Sequence, residues 1–160
     1  MKVFLGNTPW KKPGFYGVRA GSRWPHFERD GAGYMPFPFF LGYATAILEK
    51  DQQEVLLVDG IGERISTEEY LSRIVKFKPE LAVLEVATSS FNVDIAMAKM
   101  IKESLPNCQI AFCGMHVFMN DPVFLQENRE VDYVFQGEYE YTLRDLVQRL
   151  DTKKDLSDCL

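Results

Sequence analysis

Three short segments carry the residue types that could hold a ligand: Thr88-Ser89-Ser90, Gly114-Met115-His116 and Gly137-Glu138-Tyr139-Glu140. The hydroxyls of Thr88, Ser89 and Ser90 can hydrogen-bond a ligand while letting its bulk approach the backbone. Ser90 or Asn92 would equally serve to cap a following helix. Gly114 allows backbone to come close to a ligand or supplies a positive φ, and it also suits an ordinary turn. His116 could donate to an amide or a phosphate, or bond locally within its loop. No second His, Cys or carboxylate stands at metal-ligand spacing from it. Glu138 and Glu140 fall in the expected first turn of a helix, where the helix dipole favours carboxylates. That role does not require Gly137 before them, and the combination suggests a ligand tail lying over the turn. Asp59, ending an apolar run, would bind a polar group or close a turn.

These residues do not assemble into catalytic machinery. The chain has two histidines in all, no Ser/His/Asp set in a supporting context, and no oxyanion arrangement, so no catalytic residue is expected within it. The turn Gly6-Asn7-Thr8-Pro9-Trp10 lacks both the G-x-G-x-x-G and the G-x-x-x-x-G-K-[ST] spacings, which excludes dinucleotide and P-loop sites. A phosphorelay receiver would need acids after strand one, an Asp after strand three and a Lys after strand five. Those places hold Asn7, Thr88 and Gln136. A flavin would need a phosphate cradle after the first strand, where Pro9 and Pro13 remove N–H donors.

The elements that must position these segments follow from periodicity. Apolar runs at residues 2–6, 54–58, 81–87, 109–113 and 131–135 read as buried strands. Helical patterns occupy 38–50, 92–105 and 138–150. A further helix opens at the capping box formed by Ser66 and Glu69 and is stopped by Pro79, and a short one begins at Pro122. Alternation of this kind predicts an α/β fold: a Rossmann-like, flavodoxin-like doubly wound parallel sheet of five strands, order 2-1-3-4-5, in three α/β/α layers. The candidate segments would share its carboxyl edge. Residues 7–37 are rich in Gly, Pro and aromatics without period and read as a long irregular loop after strand one, functional or mobile. Residues 1–150 form the expected domain, and the polar stretch 151–160 reads as a linker within a longer polypeptide.

Composition sets outer bounds. With 46% hydrophobic and 26% charged residues over 160 positions, the chain can bury a real core. A net charge of −5 argues against a nucleic-acid partner. No apolar run approaches the roughly 20 residues of a membrane span, and the first residues are too short and strand-like for a signal peptide, so a cytoplasmic location is expected. Cys108, Cys113 and Cys159 match neither zinc nor cluster spacing and read as reduced structural thiols, with no metal site.

Taken in order, several segments resemble the N-terminal cobalamin-binding domain of cobalamin-dependent radical SAM enzymes, a group that includes methyltransferases and the anaerobic Mg-protoporphyrin IX monomethyl ester cyclase. They are Pro36-Phe37-Pro38-Phe39-Phe40-Leu41-Gly42-Tyr43-Ala44, Glu54-Val55 to Asp59, Lys78-Pro79-Glu80-Leu81, Thr88-Ser89, Ile101-Lys102, Gly114-Met115-His116, and Val131-Asp132-Tyr133-Val134 with Gly137-Glu138-Tyr139-Glu140. The resemblance implies a Rossmann-like domain holding cobalamin at the strand carboxyl edge. Thr88, Ser89 and Ser90 would then line the nucleotide-tail pocket, Gly114 and His116 the next loop, and Gly137, Glu138 and Glu140 the last. The long aromatic segment before Pro38 would cover the corrin or contact the next domain. The Asp-x-His-x-x-Gly element that supplies a lower cobalt ligand elsewhere is absent, since Asn7-Thr8-Pro9-Trp10-Lys11-Lys12 stands in its place. The resemblance therefore implies base-off cobalamin without a protein imidazole. It also implies a C-terminal radical SAM domain of the same polypeptide, carrying the [4Fe-4S] cluster and S-adenosylmethionine on residues beyond Leu160. A Rossmann-like docking domain that has lost the cofactor is the alternative.

Overall fold

A computed structural model describes residues 1–17, 27–29, 37–114 and 123–156. In chain order its elements are β1 (Lys2–Asn7), β2 (Lys11–Lys12), β3 (Phe15–Gly17), β4 (Phe27–Arg29), α1 (Phe39–Lys50), β5 (Glu54–Asp59), α2 (Thr67–Phe77), β6 (Leu81–Val86), α3 (Phe91–Ser104), β7 (Gln109–Gly114), α4 (Phe124–Glu127), β8 (Tyr133–Val134) and α5 (Glu140–Thr152). The main sheet has the order β5-β1-β6-β7-β8 with every pairing parallel. That is the expected 2-1-3-4-5 Rossmann-like arrangement, and its order reverses between β1 and β6.

The strands form because their apolar residues have two faces to fill. All six residues of β6 are buried, as a central parallel strand requires. One face carries Phe4, Val58, Leu84, Ile110 and Phe112 against Tyr70 and Ile74 of α2 and Met97, Ala98 and Ile101 of α3. The other carries Val3, Leu5, Leu81, Val83, Ala111 and Cys113 against Leu41, Ala44 and Leu48 of α1 and Leu143, Leu146 and Val147 of α5. These are the three layers. Cys108 and Cys113 are buried free thiols, and burial pushes the Cys108 thiol up to about 11. Cys159 lies outside the described residues.

Several boundaries depart from the periodicity. Ser66 does cap α2, its Oγ accepting from Glu69 N at 3.1 Å. The Glu69 carboxylate accepts instead from Arg73 at 2.6 Å, so the box is only half formed. The last strand was expected over 131–135, but its ladder shortens to two residues because the Asp132 side chain takes a backbone role. Ile110 N donates to Asp132 Oδ2 at 2.7 Å while Asp132 N donates to Ile110 O at 2.8 Å. The final helix starts at Glu140 and runs to Thr152, two residues later at both ends than the expected 138–150. Within the segment read as structureless, β2, β3 and β4 form a small antiparallel sheet. Strands of two or three residues are too short for any periodicity to reveal.

Candidate functional site

Parallel strands bring their carboxyl ends to one edge, and there the loops after β6, β7 and β8 follow one another in sheet order. Thr88, Ser89 and Ser90 leave β6, Gly114 ends β7, and Gly137, Glu138 and Glu140 follow β8. The fold thus collects these candidates on one rim, while His116 lies outside the described residues.

The structure gives each of them a definite setting. Ser89 Oγ is buried and has no hydrogen-bond partner among the described residues. Thr88 is exposed beside it. Ser90 occupies the N-cap position of α3 without capping it, since its backbone is helical and its Oγ donates to Asp94 Oδ2 at 2.7 Å. Asn92 is an exposed helical residue, so neither hydroxyl nor amide fills the expected capping role. Gly114 pairs with Val86 and has φ +110°. A Cβ there would stand 2.4 Å from Val86 O, so both conformation and space require glycine. Gly137 has φ +69° and open space around it.

One expectation needs correction, and of the two readings of Asp59 the turn holds. Glu138 is not in the first turn of the last helix: Tyr139 is the N-cap residue, and Glu140 is the acid of that turn. The left-handed turn at Gly137 delays helix entry and leaves Glu138 exposed on the loop. Asp59 closes a turn, its Oδ1 accepting from Gly62 N at 2.9 Å and its carbonyl from Glu63 N at 2.8 Å.

A group of residues that periodicity did not single out lies at the point of order reversal, where an open α/β sheet offers a crevice. Asn7 and Thr8 leave β1 at 1% exposure each, and their side-chain polar atoms have no partner among the described residues. Thr8 faces both Tyr70 of α2 and Asp94 of α3. Asp94 is fully buried, and desolvation, opposed by the Ser90 hydrogen bond and the neighbouring Thr8 hydroxyl and reinforced by Glu85, pushes its carboxyl up to about 8. Gly6 makes room for this arrangement, because a Cβ on it would meet the Tyr70 hydroxyl at 2.3 Å. The readable signal was polar residues inside apolar patterns: Asn-Thr directly after a buried strand, and an Asp four residues beyond a Ser. Beside this group a cavity of about 530 Å³ opens between Pro9, Trp10, Gly60, Ile61, Ser66 and Val93.

Fold and edge together define a Rossmann-like α/β domain with a polar carboxyl rim. No family model matches the sequence. The Uncharacterized methyltransferase PH0819 of Pyrococcus horikoshii is 26% identical over 123 residues, covering 77% of this chain and 27% of that protein. The radical S-adenosylmethionine methyltransferase TsrM from Kitasatospora setae, solved with cobalamin and a [4Fe-4S] cluster bound, superposes with a TM-score of 0.71 at 18% identity, over 99% of this chain and 26% of TsrM. The cobalamin-dependent S-adenosylmethionine radical enzyme OxsB, with aqua-cobalamin and S-adenosylmethionine bound, gives 0.73 at 16% identity, over 99% of this chain and 20% of OxsB. At such identities the likeness establishes the fold. The chain spans about a quarter or less of the length of the proteins it matches.

Proposed function

We propose that this chain is the cobalamin-binding module of a larger radical SAM enzyme that methylates or cyclises an organic substrate. The observation that carries the reading is Ser89 Oγ, buried without a partner among the described residues on the loop that the central strand delivers to the carboxyl rim. A hydroxyl left unpaired in that way costs free energy unless something bonds it. Support comes from two structures, one solved with cobalamin and one with aqua-cobalamin, that this chain matches over 99% of its length.

The residues present suit the group. Thr88, Ser89 and Ser90 would receive the nucleotide tail, and Gly114 with Gly137 would let backbone approach it where a Cβ would strain or crowd the turn. Glu138 and Glu140 would contact polar groups of the ligand rim, and His116 would join the loop after β7. Asn7-Thr8-Pro9-Trp10-Lys11-Lys12 stands after β1 where an Asp-x-His-x-x-Gly element would supply a lower ligand, so the bound form would be base-off without a protein imidazole on cobalt. When bound, cobalamin supplies a cobalt centre able to carry a methyl group or assist radical chemistry. This chain's part is to hold and orient it. The cluster and S-adenosylmethionine would sit on a C-terminal radical SAM domain, with residues 1–150 as the cobalamin domain and residues 151–160 leading toward the next.

The docking alternative has its own observation. The exposed large apolar residues Phe37, Phe39, Phe40 and Tyr43 stand at the start of α1, and Tyr141 at the start of α5, all at the same end of the molecule as the candidate rim. Gel filtration of the chain mixed with hydroxocobalamin separates the two. The cobalamin reading expects a coloured protein peak with a base-off spectrum. A colourless peak of folded protein supports a docking domain instead.

A further inference from the structure

Four buried polar side chains converge behind the loop after β6, and none is more than 4% exposed. Thr8 follows β1, Tyr70 comes from α2, Ser90 stands at the N-cap of α3, and Asp94 lies in its first turn. Asp94 makes one hydrogen bond, accepting from Ser90 Oγ at 2.7 Å. Among the described residues its Oδ1 has no partner, nor do Thr8 Oγ1 and the Tyr70 hydroxyl, and a nearby charged group is another acid, Glu85. A carboxyl buried with one hydrogen bond and no cation among the described residues does not add net stability, because desolvation outweighs so little compensation. Its bond instead reaches the segment that forms the candidate site. Ser90 Oγ accepts from Ala87 N at 3.2 Å, and Ser90 N donates to Ala87 O at 3.1 Å. Thr88 and Ser89 are the two residues that this turn encloses.

We propose that Asp94 is a positioning residue for the loop after β6: by holding Ser90 Oγ it fixes the turn from Ala87 to Ser90, and so sets where Thr88 and Ser89 stand on the carboxyl rim. The ligand half of this proposal rests on the cobalamin reading, and the structural half does not. An asparagine at 94 can donate from its amide to Ser90 Oγ, leaving that hydroxyl to donate to Ala87 O, 3.3 Å away. An alanine offers Ser90 nothing.

Amide hydrogen exchange reads the turn directly at Ser90 N, with the amides of β1 and β6 reporting whether the fold is intact. In Asp94→Ala and Ser90→Ala, exchange at Ser90 should rise about tenfold or more while the strands stay protected, and in Asp94→Asn it should stay within about twofold of native. Native-like protection in both truncations, or Asp94→Asn behaving as Asp94→Ala, overturns the proposal. If Asp94→Ala does not fold, Ser90→Ala and Asp94→Asn decide it alone by the same criteria. Hydroxocobalamin retention on desalting should follow the same order. Full retention by a truncation that has lost the turn breaks the link to the site. Should the native chain retain no corrinoid while exchange follows the expected order, the cobalamin reading fails and the positioning role stands.

Discussion

Asp94 shows how a single side chain couples the candidate rim to the solvent. Its carboxyl stays protonated to about pH 8 in the folded chain, chiefly through burial, with Glu85 facing it from β6 and Tyr70 from α2. In the unfolded chain it ionises near the ordinary aspartate value of about 4. Between those values the folded state binds more protons, so stability falls as pH rises from about 4 to about 8. Asp94→Asn should remove a decline on the order of a few kcal/mol, seen by denaturant unfolding at pH 5 and pH 8. Equal declines in both proteins would show that the carboxyl is not the source. Ser89 makes a second prediction at this scale. Ser89→Tyr should abolish corrinoid retention by placing a bulky ring on the loop proposed to receive the nucleotide tail, with the melting temperature nearly unchanged. Retention at the native level would move the tail pocket elsewhere. Thr88, Ser89, Ser90 and Gly114 were legible as a rim because small residues after buried strands stand out against apolar runs. Asp94 was harder to single out: its i+4 and i+7 spacing to Ala98 and Ile101 puts it on the inward face, but an aspartate in the first turn of a helix is also ordinary helix-start chemistry. Burial of a polar residue depends on what packs against it from Thr8 and Tyr70, and neither neighbour is local in sequence.

At the scale of elements, the strands and long helices were readable because each answers to a local rule. Ser66 shows the rule at work, and Ser66→Ala should cost about 1 kcal/mol in thermal or chemical unfolding. The edge strand β8 was harder, since Asp132 replaces a ladder bond with a side-chain bond that no period encodes. The same carboxylate accepts from Lys102 Nζ at 2.7 Å, and that ammonium also donates to Cys108 O at 2.8 Å. Asp132→Ala should therefore leave Ile110 N and Lys102 without their acceptor, costing about 2 kcal/mol and speeding exchange at the Ile110 amide. An unchanged Ile110 amide would mean that β8 is held by its apolar residues alone. The last helix began later than its pattern suggested because Gly137 turns left-handed first. That turn took Glu138 out of the helix and put it on the rim loop. That boundary falls within the candidate site, where local propensity yields to the left-handed turn at Gly137.

For the whole molecule, the parallel arrangement matters more than any one residue. Alternating strands and helices dictated the order β5-β1-β6-β7-β8, and that order alone gathers loops from residues 87–90, 114 and 137–140 onto one edge. The opposite edge is built differently. There Asp51 accepts from Arg144 Nε at 2.5 Å and Nη2 at 3.0 Å and from Gln148 at 2.8 Å, tying the end of α1 to α5. Polar partners are largely satisfied at that end, whereas unpaired hydroxyls and exposed aromatics gather at the other. Among the described residues, no helix is long and apolar enough to cross a membrane. The fold is similar to parts of TsrM and OxsB over 99% of this chain, which matches 26% and 20% of those longer proteins.

The most direct test of a cobalamin site on the carboxyl rim is an amide chemical-shift map of the labelled chain titrated with hydroxocobalamin. Saturable shifts should concentrate at Thr88, Ser89, Ser90, Gly114, Gly137, Glu138 and Glu140. Shifts gathered at the opposite edge, around Asp51, Glu54 and Glu80, or no shifts at saturating corrinoid, would contradict it.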